Sequence, residues 1–142
     1  VMNDAFDPAQ FLLALGLGWV VPLFAARLDR EYARIGSLRP VPRLLVLLLW
    51  DIIVSNVVVA GQVLGRETRI HPGFVWYPLD IANIHGIAAL SSIITLTPGT
   101  VTAALSKDRK FLLIHVLNLG DEAALVAGIK QRYEHPLMEV FP

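Results

Sequence analysis

Apolar residues crowd the first 65 positions and thin out afterwards. Residues 11–26, FLLALGLGWVVPLFAA, hold no charge, and residues 44–64, LLVLLLWDIIVSNVVVAGQVL, hold one, Asp51. A helix needs about 20 apolar residues to cross a bilayer core. The second run meets that length. The first spans about 24 Å as a helix, which is short unless residues 5–10 extend it or the bilayer is locally thin. No basic stretch precedes it and no small-residue cleavage site follows, so the pattern is not that of a signal peptide.

Within the second run, Asp51, Ser55 and Gln62 fall on one helical stripe, with Asn56 beside it. Such a stripe does not belong against lipid. It fits a helix lying at the membrane interface, or a span whose polar side faces other helices. Three roles are open to it: helix–helix hydrogen bonding, an ion relay through Asp51, or a lipid-surface role. Between the runs, residues 27–43 carry five arginines, no lysine and two acids, which points this loop to the cytoplasm. A spanning 44–64 helix would put the loop and the C-terminal residues on opposite sides. An interfacial one keeps both inside.

From residue 66 the pattern shortens. TRIHPGFVWYPL (68–79) reads as an extended edge or bulged strand. Asp80 is placed to cap a helix over about 81–95, which stops at Thr97-Pro98-Gly99-Thr100. Pro98 lacks a donor N–H, and Pro-Gly suits the two centres of a type II turn. VTAAL (101–105), the polar turn SKDRK and the apolar run FLLIHVLNL (111–119) predict a hairpin with a central second strand. Gly120-Asp121-Glu122 opens a second helix to about 134. Acids at its start and Lys130 and Arg132 near its end suit the helix dipole. Leu125, Ile129 and Tyr133 make its buried stripe, and His135-Pro136 ends it. LMEVF (137–141) is expected as a short last strand. The order β-α-β-β-α implies a crossover between parallel strands, and a two-layer, ferredoxin-like α+β sandwich is the simplest architecture.

The chain thus divides into a membrane region (1–26), an arginine-rich loop (27–43), an apolar helix (44–65) and a small α+β domain (66–142). The composition agrees: hydrophobic residues are 55% of 142 and charged residues 17%, well to the apolar side of an average soluble domain. Twelve basic and twelve acidic residues cancel, leaving no bulk charge for nucleic acid. The absence of cysteine removes disulfides, Cys-ligated metals and thiol catalysis.

Candidate chemistry is sparse. His71, His85, His115 and His135 lack metal-ligand spacing. His115 alternates with Phe111, Leu113 and Leu117, as a boundary strand residue does. Thr95, Thr97, Thr100 and Thr102 flank the Pro98-Gly99 turn, but no phosphate-binding glycine motif accompanies them, so turn and strand hydrogen bonding is expected. Ser91 and Ser92 lack a nucleophile elbow. Asp121 and Glu122, adjacent on a helix, point apart and read as caps. Asp108 and Arg109 sit at a solvated hairpin tip. The residues therefore describe a membrane-anchored protein with no catalytic machinery and no cofactor site.

The segment 94–141 carries a family motif: Ile94 to Thr100 (ITLTPGT), Ser106-Lys107-Asp108-Arg109, Ile114-His115, Asp121-Glu122, and Ile129-Lys130-Gln131-Arg132-Tyr133-Glu134. It resembles the E subunit of Mrp-type multisubunit Na+/H+ antiporters, called PhaE in potassium-linked versions. Upstream, Asp51 and Ser55-Asn56 resemble the family's acidic helix, where Ala often stands at the position of Ser55. The resemblance marks Asp51, Asn56, Thr95, Thr97, Pro98, Gly99, Thr100, Asp108, Arg109, His115, Lys130 and Tyr133 as motif residues of structural importance.

It implies a non-catalytic structural and assembly subunit of a cation (Na+ or K+)/proton antiporter, serving pH and sodium homeostasis. The expected location is a bacterial inner membrane, multi-pass, with the C-terminal domain cytoplasmic. Its expected partners are large proton-channel-like subunits, small membrane subunits and the bilayer, with pairing of whole complexes a further expectation. It favours the interfacial placement of 44–64 and implies another apolar helix before Val1. The alternative is the equivalent subunit of a membrane-bound hydrogenase or related redox-driven ion pump.

Overall fold

The computed structural model describes residues 8–28, 34–65 and 70–142. Residues 29–33 of the arginine-rich loop and the opening residues 68–69 of the expected first strand lie outside them. The chain forms two units, Val1–Tyr32 and Ala33–Pro142.

In the first unit, helix α1 runs Pro8–Leu28. It extends the 16-residue apolar run at both ends and carries Pro22 within it. The second unit begins with an extended segment fastened by its backbone. Gly36 N–H donates to the Val140 carbonyl at 2.8 Å and Ser37 N–H to that of Glu139 at 2.9 Å. A Cβ at Gly36 would lie 2.6 Å from the Glu139 oxygen, so this close approach needs glycine. Helix α2, Val41–Val63, follows, with proline tolerated in its first turn. Among the described residues it is the one helix long and apolar enough to cross a membrane; Ala9–Ala25 and Ile84–Leu96 are shorter apolar helices.

The rest is two-layered. Strands β1 (Gly73–Pro78), β2 (Thr100–Leu105) and β3 (Phe111–Val116) form one sheet in the order β1-β3-β2. Both neighbours run antiparallel to β3. The first two strands are therefore parallel to each other, as a β-α-β unit requires, but β3 lies between them. Val75, Tyr77, Leu112, Ile114 and Val116 point inward. Helix α3 (Ile84–Leu96) covers them with Ile87, Leu90 and Ile94. Helix α4 (Glu122–Ile129), a π-helical turn (Lys130–Glu134) and helix α5 (His135–Val140) complete the layer with Ile129, Tyr133 and Leu137. The outer sheet face stays apolar and exposed, with Phe74, Trp76, Val101 and Phe111 on it.

Three expectations are corrected. Asp80 does not cap α3. Its own N–H and that of Ile81 donate to Glu134, which holds residues 80–81 outside the helix, and Asn83 caps instead by accepting from His85 N–H at 3.0 Å. His135-Pro136 does not end the last helix. The π turn bonds His135 N–H to the Lys130 carbonyl, five residues back, and the wider turn carries the helical path past a proline without an N–H. LMEV is consequently part of α5, with Phe141 as its C-cap, and LMEVF is not a fourth strand. The helix starting at Asp121 is as expected: its carboxylate accepts from Ala123 and Ala124 N–H at 2.8 and 3.3 Å.

The Pro-Gly turn also forms. Thr100 N–H reaches the Thr97 carbonyl at 3.2 Å and Gly99 sits at φ +93°, the positive value a type II turn needs at its third residue. Thr100 Oγ1 donates to the Ile94 and Thr97 carbonyls at 2.6 and 3.0 Å. Thr97 Oγ1 donates to the Ile93 carbonyl at 3.0 Å, and Thr95 Oγ1 accepts from Thr102 N–H at 3.2 Å. The threonines join the end of α3 to the start of β2.

Candidate functional site

Two carboxylates, Asp51 and Glu134, organise the second unit. Asp51 lies midway along α2, on the stripe of Leu44, Leu47, Ser55 and Val59. Leu44 belongs to the buried core and Leu47 packs against it. Val59 approaches the Pro-Gly turn, its Cγ2 3.2 Å from where a Cβ on Gly99 would stand. The polar stripe therefore faces the α+β layers. The opposite face, including Val46, Leu49, Trp50, Ile53 and Val57, is exposed in the chain by itself.

The Asp51 carboxylate accepts hydrogen bonds from the Arg132 guanidinium and the Tyr133 hydroxyl. Its side chain is 16% exposed, that of Arg132 46%. The bond to Asp51 raises the Arg132 pKa, with partial burial opposing. Burial first, then the bond to Asp51, pushes the Tyr133 hydroxyl up to about 12. Beside this clamp, a crevice of about 290 Å³ runs between Asp51, Ser55, Thr97, Thr100 and Ile129.

Glu134 is fully buried. One of its oxygens accepts from Asp80 N–H at 2.7 Å and Ile81 N–H at 3.1 Å. The other accepts from the Tyr77 hydroxyl at 2.5 Å and the Lys130 ammonium at 3.3 Å. Lys130 also pairs with Asp80 and stands 5.5 Å from the centre of the Tyr77 ring. Burial, with the Glu134 bond and charge added, drives the Tyr77 hydroxyl far above its ordinary range. Partial burial pulls the Lys130 pKa down, but the bond to Asp80 and the charge of Glu134 outweigh it and leave it raised. All four acceptor directions of a buried carboxylate are thus filled, which is what keeps a charge tolerable in the interior.

The expected motif residues separate into three places. Asp51 and Tyr133 meet in the clamp on α2, and Lys130 serves the Glu134 hub. Thr95, Thr97, Pro98, Gly99 and Thr100 form the turn beneath α2. Asp108, Arg109 and His115 belong to the hairpin. There, Asp108 accepts from the Ser106 hydroxyl at 2.6 Å, which lowers its pKa, and Arg109 takes φ +59°. His115 is half-buried on the outer sheet face, its ring 5.0 Å from that of Phe74. Asn56 does not join Asp51; its amide donates to the Ile52 carbonyl at 2.8 Å.

Arg132 and Glu134 lie within the family motif but outside the expected site residues. Glu134 lies four residues after Lys130, the one local sign of a pair. Its burial depends on Tyr77 and Asp80, more than 50 positions upstream. Among the described residues no group of three His, Asp or Glu side chains is arranged to hold a metal.

The arrangement is one of fastening: each charge is directed at another element of the same chain. The model of the Na+/H+ ion antiporter subunit family (MnhE) matches residues 1–140. The chain belongs to this family. Among this antiporter subunit's relatives, the E1 subunit of the Na+/H+ antiporter of Staphylococcus haemolyticus is 35% identical over 126 residues, covering 89% of this chain and 78% of the relative. The E subunit of the Na+/H+ antiporter of Bacillus subtilis is 28% identical over 139 residues, covering 98% and 88%.

Two solved structures are similar. One is a chain of the membrane-bound sulfane sulfur reductase, an archaeal respiratory membrane complex. It has a TM-score of 0.69 and 26% identity, with 99% of this chain and 89% of that one covered. The other is a chain of the Mrp complex from Dietzia sp. DQ12-45-1b, with a TM-score of 0.55 and 24% identity, covering 72% and 96%. This second likeness is one of fold.

Proposed function

We propose that this antiporter-family chain is a non-catalytic structural and assembly subunit of a multisubunit membrane complex that exchanges Na+ or K+ for protons. Its α+β domain sits on the cytoplasmic side. Helix α2 lies along the inner interface or against partner subunits rather than spanning alone. The observation that carries this reading is the Asp51 clamp. The one ionisable side chain between residues 44 and 64 is occupied by Arg132 and Tyr133, which supports a fastening role for it over an ion relay. Contacts from Leu44 to Val59 along the domain support an α2 that keeps company with soluble structure. Two apolar surfaces, the outer face of α2 and the outer sheet face, exceed what a free-standing domain exposes and suit burial among other subunits and lipid.

The test is transport in inverted membrane vesicles. Deleting the chain should abolish complex assembly and cation-dependent proton efflux. Asp51→Asn should leave transport per assembled complex nearly unchanged. A complex that assembles fully with Asp51→Asn and transports nothing would move Asp51 into the ion path. Protease added to inverted vesicles should digest the C-terminal domain, and protection there would reverse the orientation.

A second reading rests on the likeness to the sulfane sulfur reductase chain: the same fastening role within a redox-driven ion pump. Mass spectrometry of the subunits that co-purify in mild detergent separates the two. Antiporter subunits alone support the first reading, and redox subunits support the second.

A further inference from the structure

Helix α2 begins beside a cavity of about 510 Å³ whose lining includes Arg39, Arg43, Arg132, Leu44 and Leu47, with Glu139 as its acid. Among the described residues, neither Arg39 nor Arg43 has a carboxylate within ion-pair distance. Arg132 is the exception, being held by Asp51. A second cavity of about 520 Å³ shares Arg43, Leu47 and Arg132 and continues along α2 over Val46 and Trp50. One groove thus has a cationic head and an apolar run. Val46 is 69% exposed and Trp50 63%, so the run is open on its outer side. Trp is a side chain suited to the headgroup boundary.

We propose that this groove binds an anionic phospholipid. Its phosphate lies against the Arg39 and Arg43 guanidiniums, and the first part of an acyl chain covers Leu47, Val46 and Trp50. Guanidiniums match phosphate oxygens through paired N–H donors, and the apolar run supplies what a free anion would not need. Tyr133 and Arg132 take up Asp51, so the nearest carboxylate of α2 does not repel the phosphate. The proposal rests on reading α2 as a membrane-contacting helix.

The test uses the whole complex in nanodiscs of phosphatidylcholine with a minority of phosphatidylglycerol. Native mass spectrometry counts the lipids retained on this chain. The wild type should keep phosphatidylglycerol selectively. The double variant Arg39→Gln/Arg43→Gln should lower that retention about tenfold or more, and Arg39→Lys/Arg43→Lys should restore most of it. Trp50→Ala, which changes no charge, should speed release and provides a readout if the glutamine variant fails to fold. Equal retention of both lipids by the wild type, unchanged retention in the glutamine variant, or unchanged release from Trp50→Ala would overturn the proposal. Displacement by glycerol 1-phosphate alone would also overturn it, leaving a small-anion site. Co-purifying subunits are scored in the same samples. A chain that keeps phosphatidylglycerol but brings down no other subunit retains the lipid site and loses the proposed assembly role.

Discussion

The Tyr133 hydroxyl donates to the Asp51 carboxylate across 82 positions of sequence, and Arg132 joins from the other side. A helix apolar enough to enter a membrane is thereby tied to the π-helical turn of a mixed α+β layer. The stripe on α2 has a partner within the chain, and the opposite face, with Val46, Leu49, Trp50, Ile53 and Val57, is left apolar and exposed.

Removing the charge should loosen this tie. Asp51→Asn is expected to destabilise the second unit by about 1–2 kcal/mol, since Asp51 is mostly buried while Arg132 is half exposed and screened. Arg132→Gln should cost less. A double-mutant cycle by thermal unfolding of the detergent-purified protein checks the coupling, and strictly additive losses would mean that the pair contributes nothing.

Glu134 should be the more sensitive carboxylate. Glu134→Ala leaves the Tyr77 hydroxyl and two backbone N–H groups without their acceptor and Lys130 with Asp80 alone, and is expected to cost about 3–5 kcal/mol. Glu134→Gln keeps one oxygen for the Asp80 and Ile81 N–H groups but presents an amide to the Lys130 ammonium, so a smaller loss of about 2 kcal/mol is expected. Folded yield and melting temperature report both, and an alanine variant as stable as wild type would remove the buried hub from the account.

Gly99→Val should lower complex yield and thermal stability. At φ +93° a side chain is strained whatever the space, and Val59 of α2 stands 3.2 Å from the new Cβ. A cost of about 1–2 kcal/mol follows from the left-handed conformation alone, with further loss from displacing α2. Val59→Ala in the same background should return the second part but not the first.

Alkaline pH should unfasten α2. The folded Tyr133 pKa is raised to about 12, so the protonated hydroxyl favours the folded state. That contribution is complete below the ordinary tyrosine pKa and is lost as pH rises from about 10 through 12. Tyr133→Phe should be less stable at neutral pH and should show a shallower fall over that window. Denaturation followed between pH 8 and pH 12 gives the two slopes, and equal slopes would contradict the assignment.

What the sequence alone determined are the features governed by neighbours along the chain. The apolar runs became helices, Asp121 caps α4, the hairpin forms around Ser106 to Lys110, and Pro98-Gly99 makes its turn. Each depends on backbone conformation and hydrogen bonds within a few residues. The stripe of Asp51 and Ser55 was legible as well, because helical periodicity is local.

Only the tertiary structure decided where that stripe points, why Asp80 stays outside α3, and how the chain passes Pro136. These outcomes turn on Glu134 and the π turn before α5. A buried carboxylate must collect donors from wherever the fold supplies them. Here they come from Tyr77, Asp80, Ile81 and Lys130, and meeting that demand sets the course of segments more than 50 residues apart.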